Sequence, residues 1–169
     1  MVHSIELVFD PDTEAAIRHI WDDLAYAGLP SQAPAGRPHV TLVVAERIAV
    51  DVDALLAPVS QWLPLACAVG APLLFGRAKP VLARLVVPTT ELLALHAEVY
   101  RLASPHVSPG PMANSLPGQW TGHVTLGRRI GGGQLGRALR IAGRPTQIDG
   151  SFAGLRRWDG GKRAEHLIG

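Results

Sequence analysis

The tetrapeptide His39-Val40-Thr41-Leu42 recurs letter for letter, half a chain later, as His123-Val124-Thr125-Leu126. An internal repeat restricts the fold strongly, because each copy must be one supersecondary unit packed against its twin. The flanking segments agree with this. Leu7-Val8-Phe9 leads into a helix with Glu14, and Leu85-Val86-Val87 leads into a helix with Glu91. In both halves a strand is followed by a helix, a Pro/Gly-rich loop and then the His-Val-Thr-Leu strand. The pattern predicts a duplicated strand-helix-loop-strand unit.

The first half is predicted to hold an alternating strand over 2–9 and a helix from Asp10-Pro11-Asp12-Thr13 to Ala27, with Ile17, Ile20, Trp21 and Leu24 facing inward and Gly28 as its stop. Residues 30–38 read as a loop and 39–45 as a strand. A helix over 52–63 must place Pro58 near its start or kink there. Strands over 65–75 and 81–87 precede a helix capped at Thr89-Thr90-Glu91, with Leu92, Leu95, Val99 and Leu102 on one side. The long segment 104–119, rich in Pro, Ser and Gly, reads as a functional lid or rim. A strand over 122–129, a short helix over 134–142 and two closing strands over 146–158 and 163–168 complete the chain.

On a strand, residues i and i+2 share a face. His39 and Thr41 therefore project together, as do His123 and Thr125, while Val40, Leu42, Val124 and Leu126 anchor the strands in the core. Two imidazoles and two hydroxyls facing each other across a pseudo-twofold axis suit phosphodiester chemistry. One imidazole removes a proton from the attacking oxygen and the other gives one to the leaving oxygen. The threonines donate hydrogen bonds to the phosphate oxygens as charge builds there. This scheme needs no metal or other cofactor, and the sequence has no Cys pair or His-Glu-x-x-His pattern to hold one.

The two motifs, together with Ile5-Glu6-Leu7-Val8-Phe9-Asp10, Ala27-Gly28-Leu29-Pro30 and the Arg37-Pro38 that precede His39, resemble the two-histidine phosphoesterase superfamily, in its 2′-5′ RNA ligase-like and cyclic phosphodiesterase branch. The resemblance implies an α+β fold of two pseudo-symmetric lobes, each an antiparallel sheet with flanking helices, around a central cleft. It implies one domain over 1–169, with the duplicated lobes interleaved along the chain. The expected activity is hydrolysis of a 2′,3′-cyclic phosphate at a nucleotide or RNA end. The alternatives are a 2′-5′ RNA ligase or 2′-5′ phosphodiesterase, and a nucleotide- or RNA-binding module without turnover. The resemblance favours His123 as base and His39 as acid, an order the residues themselves leave open. It also points to Arg128 as a substrate contact, with Val44 at the equivalent place in the first motif.

Arg128 lies on the face opposite His123 and Thr125 if the strand stays regular, so it reaches the cleft only through a bulge. Trp120 is a candidate base-stacking residue or a rim tryptophan, and Arg37 a candidate phosphate contact. His3, His19, His96, His106 and His166 have no threonine two positions on. His19 and His96 read as helix-surface residues, and His106 alone merits a test.

Composition sets the remaining bounds. Sixteen basic against 14 acidic residues give a net charge of +2, too even for a long nucleic-acid footprint. The substrate is thus expected to be a nucleotide or an RNA terminus, with no obligatory protein partner. Cys67, the single cysteine, reads as a buried, inert thiol. The start has no signal-peptide pattern and no stretch nears the ~18 apolar residues that cross a bilayer, so a cytoplasmic protein without membrane contact is expected.

Overall fold

A computed structural model describes residues 1–33 and 36–169; Pro34 and Ala35, within the predicted 30–38 loop, lie outside the described residues. Strand β1 (His3–Phe9) is followed by helix α1 (Pro11–Tyr26) and strand β2 (His39–Ala45). The second half repeats this order with β5 (Val81–Val86), α3 (Thr90–Ala103) and β7 (His123–Gly127). Between the halves come β3 (Arg47–Ile48), α2 (Val52–Ser60) and β4 (Leu65–Phe75); β6 (Val107–Ser108) falls inside the second loop. Helix α4 (Leu135–Ala142) and strands β8 (Ile148–Asp159) and β9 (Ala164–Ile168) close the chain. The fold class is α+β, as the sequence predicts.

Strand β1 does not alternate, because it is central: residues 4–9 are all buried, with β2 on one side and β8 on the other. The strand order is β2-β1-β8-β4-β5-β7, with β9 also on β8, and every pairing is antiparallel. Strand β8 is long enough to serve both halves. Its residues 148–152 pair with β4 and its residues 152–158 with β1. The two ends of the strand order, β2 and β7, nevertheless touch. The sheet therefore curls until its motif-bearing edges meet.

Local chemistry explains where the elements start and stop. Asp10 caps α1, accepting from Thr13 N at 2.9 Å and Thr13 Oγ1 at 2.6 Å. Its other partner is Ser151, whose amide donates at 2.7 Å, so the cap also ties α1 to β8. These donors, the Thr13 hydroxyl first, hold the Asp10 carboxyl well below the usual carboxylate range. Gly28 ends the turn after α1 with φ +72°, as predicted for a C-terminal stop. Pro58 occupies the last turn of α2 rather than its start, and the helix stops at Ser60, short of the predicted 63. Burial pushes the Cys67 thiol up to about 12, which leaves it inert.

Each helix of one half reaches the motif strand of the other: α1 packs on β7 and α3 on β2. His96 is part of this packing, and the surface position predicted for it is wrong. It is 1% exposed, and its Nε2 lies 3.1 Å from the Leu42 carbonyl. Burial holds its pKa below the ordinary imidazole value. The predicted surface position of His19 holds.

Candidate active site

The alternation expected along both motifs is present. Val40, Leu42, Val124 and Leu126 are at most 1% exposed, while His39, Thr41, His123 and Thr125 are half-buried. Each fully buried aliphatic side chain stabilises its strand by roughly 1.5–3 kcal/mol. The regular pattern then breaks in both strands at the same place. Along β1, Ile5 faces Val43 and Glu6 faces Thr41, so Leu42 is an extra residue in β2. Along β5, Leu82 faces Gly127 and Ala83 faces Thr125, so Leu126 is the extra residue in β7. Two consecutive buried residues, Leu42-Val43 and Leu126-Gly127, mark the bulges. The bulge resets the phase of the side chains, and Val44 and Arg128 consequently line the same cleft as the histidines. This is the bulge that Arg128 required.

Both imidazoles are held alike. His39 Nδ1 lies 2.7 Å from the Arg37 carbonyl, and His123 Nδ1 lies 2.7 Å from the Thr121 carbonyl. A carbonyl only accepts, so each Nδ1 carries the proton and each Nε2 is left for the cleft. That cleft has a volume of about 680 Å³ and is lined by His39, Thr41, His123, Arg128 and Arg37, among others. Its size suits a small-molecule site. Two recesses flank it. One, of about 220 Å³, sets Thr41 beside His123, Trp120 and Phe75. The other, of about 100 Å³, sets Thr125 beside His39, Trp21 and Arg37. Each threonine thus neighbours the other motif's histidine.

Two tryptophans cross between the halves. Trp120 Nε1 donates to the Thr41 carbonyl at 2.9 Å, and Trp21 Nε1 donates to the Thr125 carbonyl at 3.1 Å. These reciprocal bonds fix the two motif strands relative to each other.

The surroundings of the two histidines differ. His123 packs against Phe75, ring centroids 4.5 Å apart. Burial pushes its pKa down, and the nearby His39 and Arg128 charges add to this against the Thr121 carbonyl. His39 instead has a carboxylate close by, with Glu6 Oε1 at 3.6 Å from its Nε2. Among the described residues, no three His, Cys, Asp or Glu side chains converge as metal ligands would.

The family model for the 2′-5′ RNA ligase superfamily matches residues 9–153. The chain belongs to that superfamily. As a superfamily member it is one of the two-histidine phosphoesterases. Solved structures with the same fold include TT0787 of Thermus thermophilus, at TM-score 0.60 and 15% identity over 100% of this chain and 96% of that one. E. coli LigT matches at TM-score 0.57 and 11% identity, over 99% and 94%. Kluyveromyces marxianus Usb1 solved with uridine monophosphate matches at 0.56 and 10%, over 99% and 97%. A search of curated protein sequences finds no match. No helix among the described residues is long and apolar enough to cross a membrane.

Within this superfamily member the secondary candidates separate. One face of Trp120 is covered by His96, stacked at 4.1 Å and 6°. Gly122 makes room for its ring, since a Cβ there would lie 2.8 Å from Trp120 Cη2. Arg37 lines the cleft, but its guanidinium pairs with Glu165 at 3.3 Å and Glu14 at 3.5 Å. His106 bonds Asp51 at 3.1 Å and does not line the cleft. The segment 104–119 forms a wall of the site, pinned by Met112 N–H donating to the Val44 carbonyl at 2.9 Å and by Val44 N–H donating to Ser115 Oγ at 3.1 Å. Sequence reasoning missed Trp21, Glu6 and Phe75. Only Glu6, a carboxylate between Ile5 and Leu7, left a signal in the sequence.

Proposed function

We propose that this protein is a metal-independent phosphodiesterase that opens a 2′,3′-cyclic phosphate at a nucleotide or RNA end. The observation that carries the reading is the pair of imidazoles, each with Nδ1 on a carbonyl and Nε2 left for one cleft. The unlike surroundings of the two rings divide their roles. His123, whose neutral form is favoured, takes a proton from water at Nε2 as the water oxygen attacks phosphorus. The bond to the leaving 2′ or 3′ oxygen breaks with its electron pair staying on that oxygen. Protonated His39, with Glu6 beside it, supplies the proton from Nε2. Solvent exchange then returns both rings to their starting states. Thr41, Thr125 and Arg128 stabilise the charge on the phosphoryl oxygens. The nucleotides in two relatives, uridine monophosphate in Usb1 and 3′-AMP in LigT, support a nucleotide as occupant.

The test is turnover of a nucleoside 2′,3′-cyclic phosphate panel in EDTA by wild type and by His39→Ala. Turnover by wild type alone is expected; equal rates in both, or activity only with added metal, contradict the reading. With tRNA half-molecules bearing a cyclic phosphate, a bare monophosphate end is expected, whereas a joined product would favour ligation.

The pH profile should carry the signature of His123. A base with a lowered pKa stays neutral further into acid, so the acid limb of kcat/KM is expected below the ordinary imidazole value of about 6.5. Arg128→Gln removes a nearby positive charge, and the same limb should move to higher pH. A profile unchanged by that substitution would count against the assignment.

A further inference from the structure

The two halves match in strand order, bulge position, Nδ1 acceptor and tryptophan latch, yet differ beside the histidines. Opposite Thr41, β1 places Glu6; opposite Thr125, β5 places Ala83. From Glu6 a chain of ion pairs leads back to the same imidazole. Glu6 Oε2 is held by Arg156 through Nε at 2.7 Å and Nη2 at 2.6 Å, and Glu6 Oε1 accepts from Ser4 Oγ at 2.5 Å. Arg156 Nη1 meets Glu165 at 2.5 Å, and Glu165 meets Arg37 at 3.3 Å. The Arg37 carbonyl in turn accepts from His39 Nδ1. One nitrogen of His39 is therefore fixed by the backbone of Arg37. The other faces a carboxylate connected to the same arginine's side chain.

We infer that Glu6 is a positioning residue, locked by Arg156 and Ser4, that holds the Nε2–H of protonated His39 on line for the leaving oxygen. The inference rests on the acid role of His39 proposed above. Glu6 is 3% exposed and gripped by Arg156, so its carboxylate is fixed in place and salt screens it little. At 3.6 Å it is near enough to orient a protonated ring by charge, and far enough that a substrate oxygen can take its place. His123 has no equivalent. Its ring lies against Phe75, which orients without supplying charge. The duplication thus supplies two like histidines, and Glu6 against Ala83 gives only one of them a carboxylate partner.

A double-mutant cycle on the 2′,3′-cyclic substrate tests this, measured with enzyme in excess so that low rates are resolved. Glu6→Gln removes the charge. Glu6→Asp keeps a carboxylate for Arg156 but withdraws it from His39, and it carries the test if the glutamine variant folds poorly. Each is expected to lower kcat by ~10–10²-fold with KM within ~3-fold of wild type. Neither should lower the rate further in a His39→Ala background, because the residue acts through that ring. The same fold-loss in both backgrounds, or a change in KM alone, would overturn the inference. A wild type without turnover would instead remove the phosphodiesterase reading.

Discussion

Alanine at His123 or at His39 is expected to lower kcat for a 2′,3′-cyclic nucleotide by ~10²–10⁴-fold, the usual contribution of a positioned acid or base. The two losses should not add. With both imidazoles acting on one phosphodiester, the double variant is expected to lose little more than the worse single variant. Folding should be spared. Both rings are half-buried at the cleft, and the residues that anchor their strands, Val40, Leu42, Val124 and Leu126, stay in place. Thermal melting run beside the kinetics separates the effects, with unchanged midpoints and lost turnover as the expected pair. Full additivity of the single losses would mean that the rings act independently, which contradicts a shared site.

The largest effect on stability is expected at a residue outside the cleft. Arg84 is 0% exposed, and among the described residues its guanidinium hydrogen-bonds to backbone carbonyls only. Its Nε donates to Gly70, Nη1 to Ala142 at 2.7 Å, and Nη2 to Pro145 and Thr146 at 2.9 Å each. Burial lowers its pKa from the ordinary arginine value, but arginine stays cationic in proteins. The neutralising partner is a set of dipoles. Ala142 ends α4, so the cation meets the negative end of that helix. Arg84→Met keeps much of the volume and leaves these carbonyls without donors. At ~1–3 kcal/mol per unsatisfied buried group, relaxation included, a loss of ~3–5 kcal/mol is expected. That is a large part of the ~5–15 kcal/mol that holds a typical domain together. The melting midpoint should fall by roughly 10 °C or more, and a shift of only a degree or two would refute this role. Arg84→Lys should rescue little, because one ammonium cannot span four carbonyls.

Much of the working face was legible because it follows a local period. Alternation in His-Val-Thr-Leu separates the half-buried pair from the core pair, and the helical spacing of Ile17, Ile20, Trp21 and Leu24 marks a face that is buried in the structure. What was not legible depends on how the sheet curls. The period-two rule sends Arg128 away from His123; the bulge at Leu126 reverses this, and its only local trace is a second buried residue in a row. His96 reads as a surface helix position because nothing near it in sequence announces that Trp120 will stack on it. Trp21 reads as a core residue, and it is one, but its indole N–H reaches a strand on the far side of the repeat. Glu6 sits on a strand that reads as alternating and Arg84 on one that reads as apolar, and nothing near either in sequence announces Arg156 or the Ala142 carbonyl as its partner. In each case the deciding partner is distant in sequence.

The central claim is that the two motifs form one site on one phosphoryl group. A crystal structure of the protein with uridine vanadate, which mimics the five-coordinate phosphorus of in-line attack, tests it most directly. The vanadate is expected between the rings, with His39 Nε2 and His123 Nε2 each within hydrogen-bond distance of opposite apical oxygens and the threonine hydroxyls on equatorial ones. Vanadate held by one histidine alone, or bound outside the cleft, would contradict the claim.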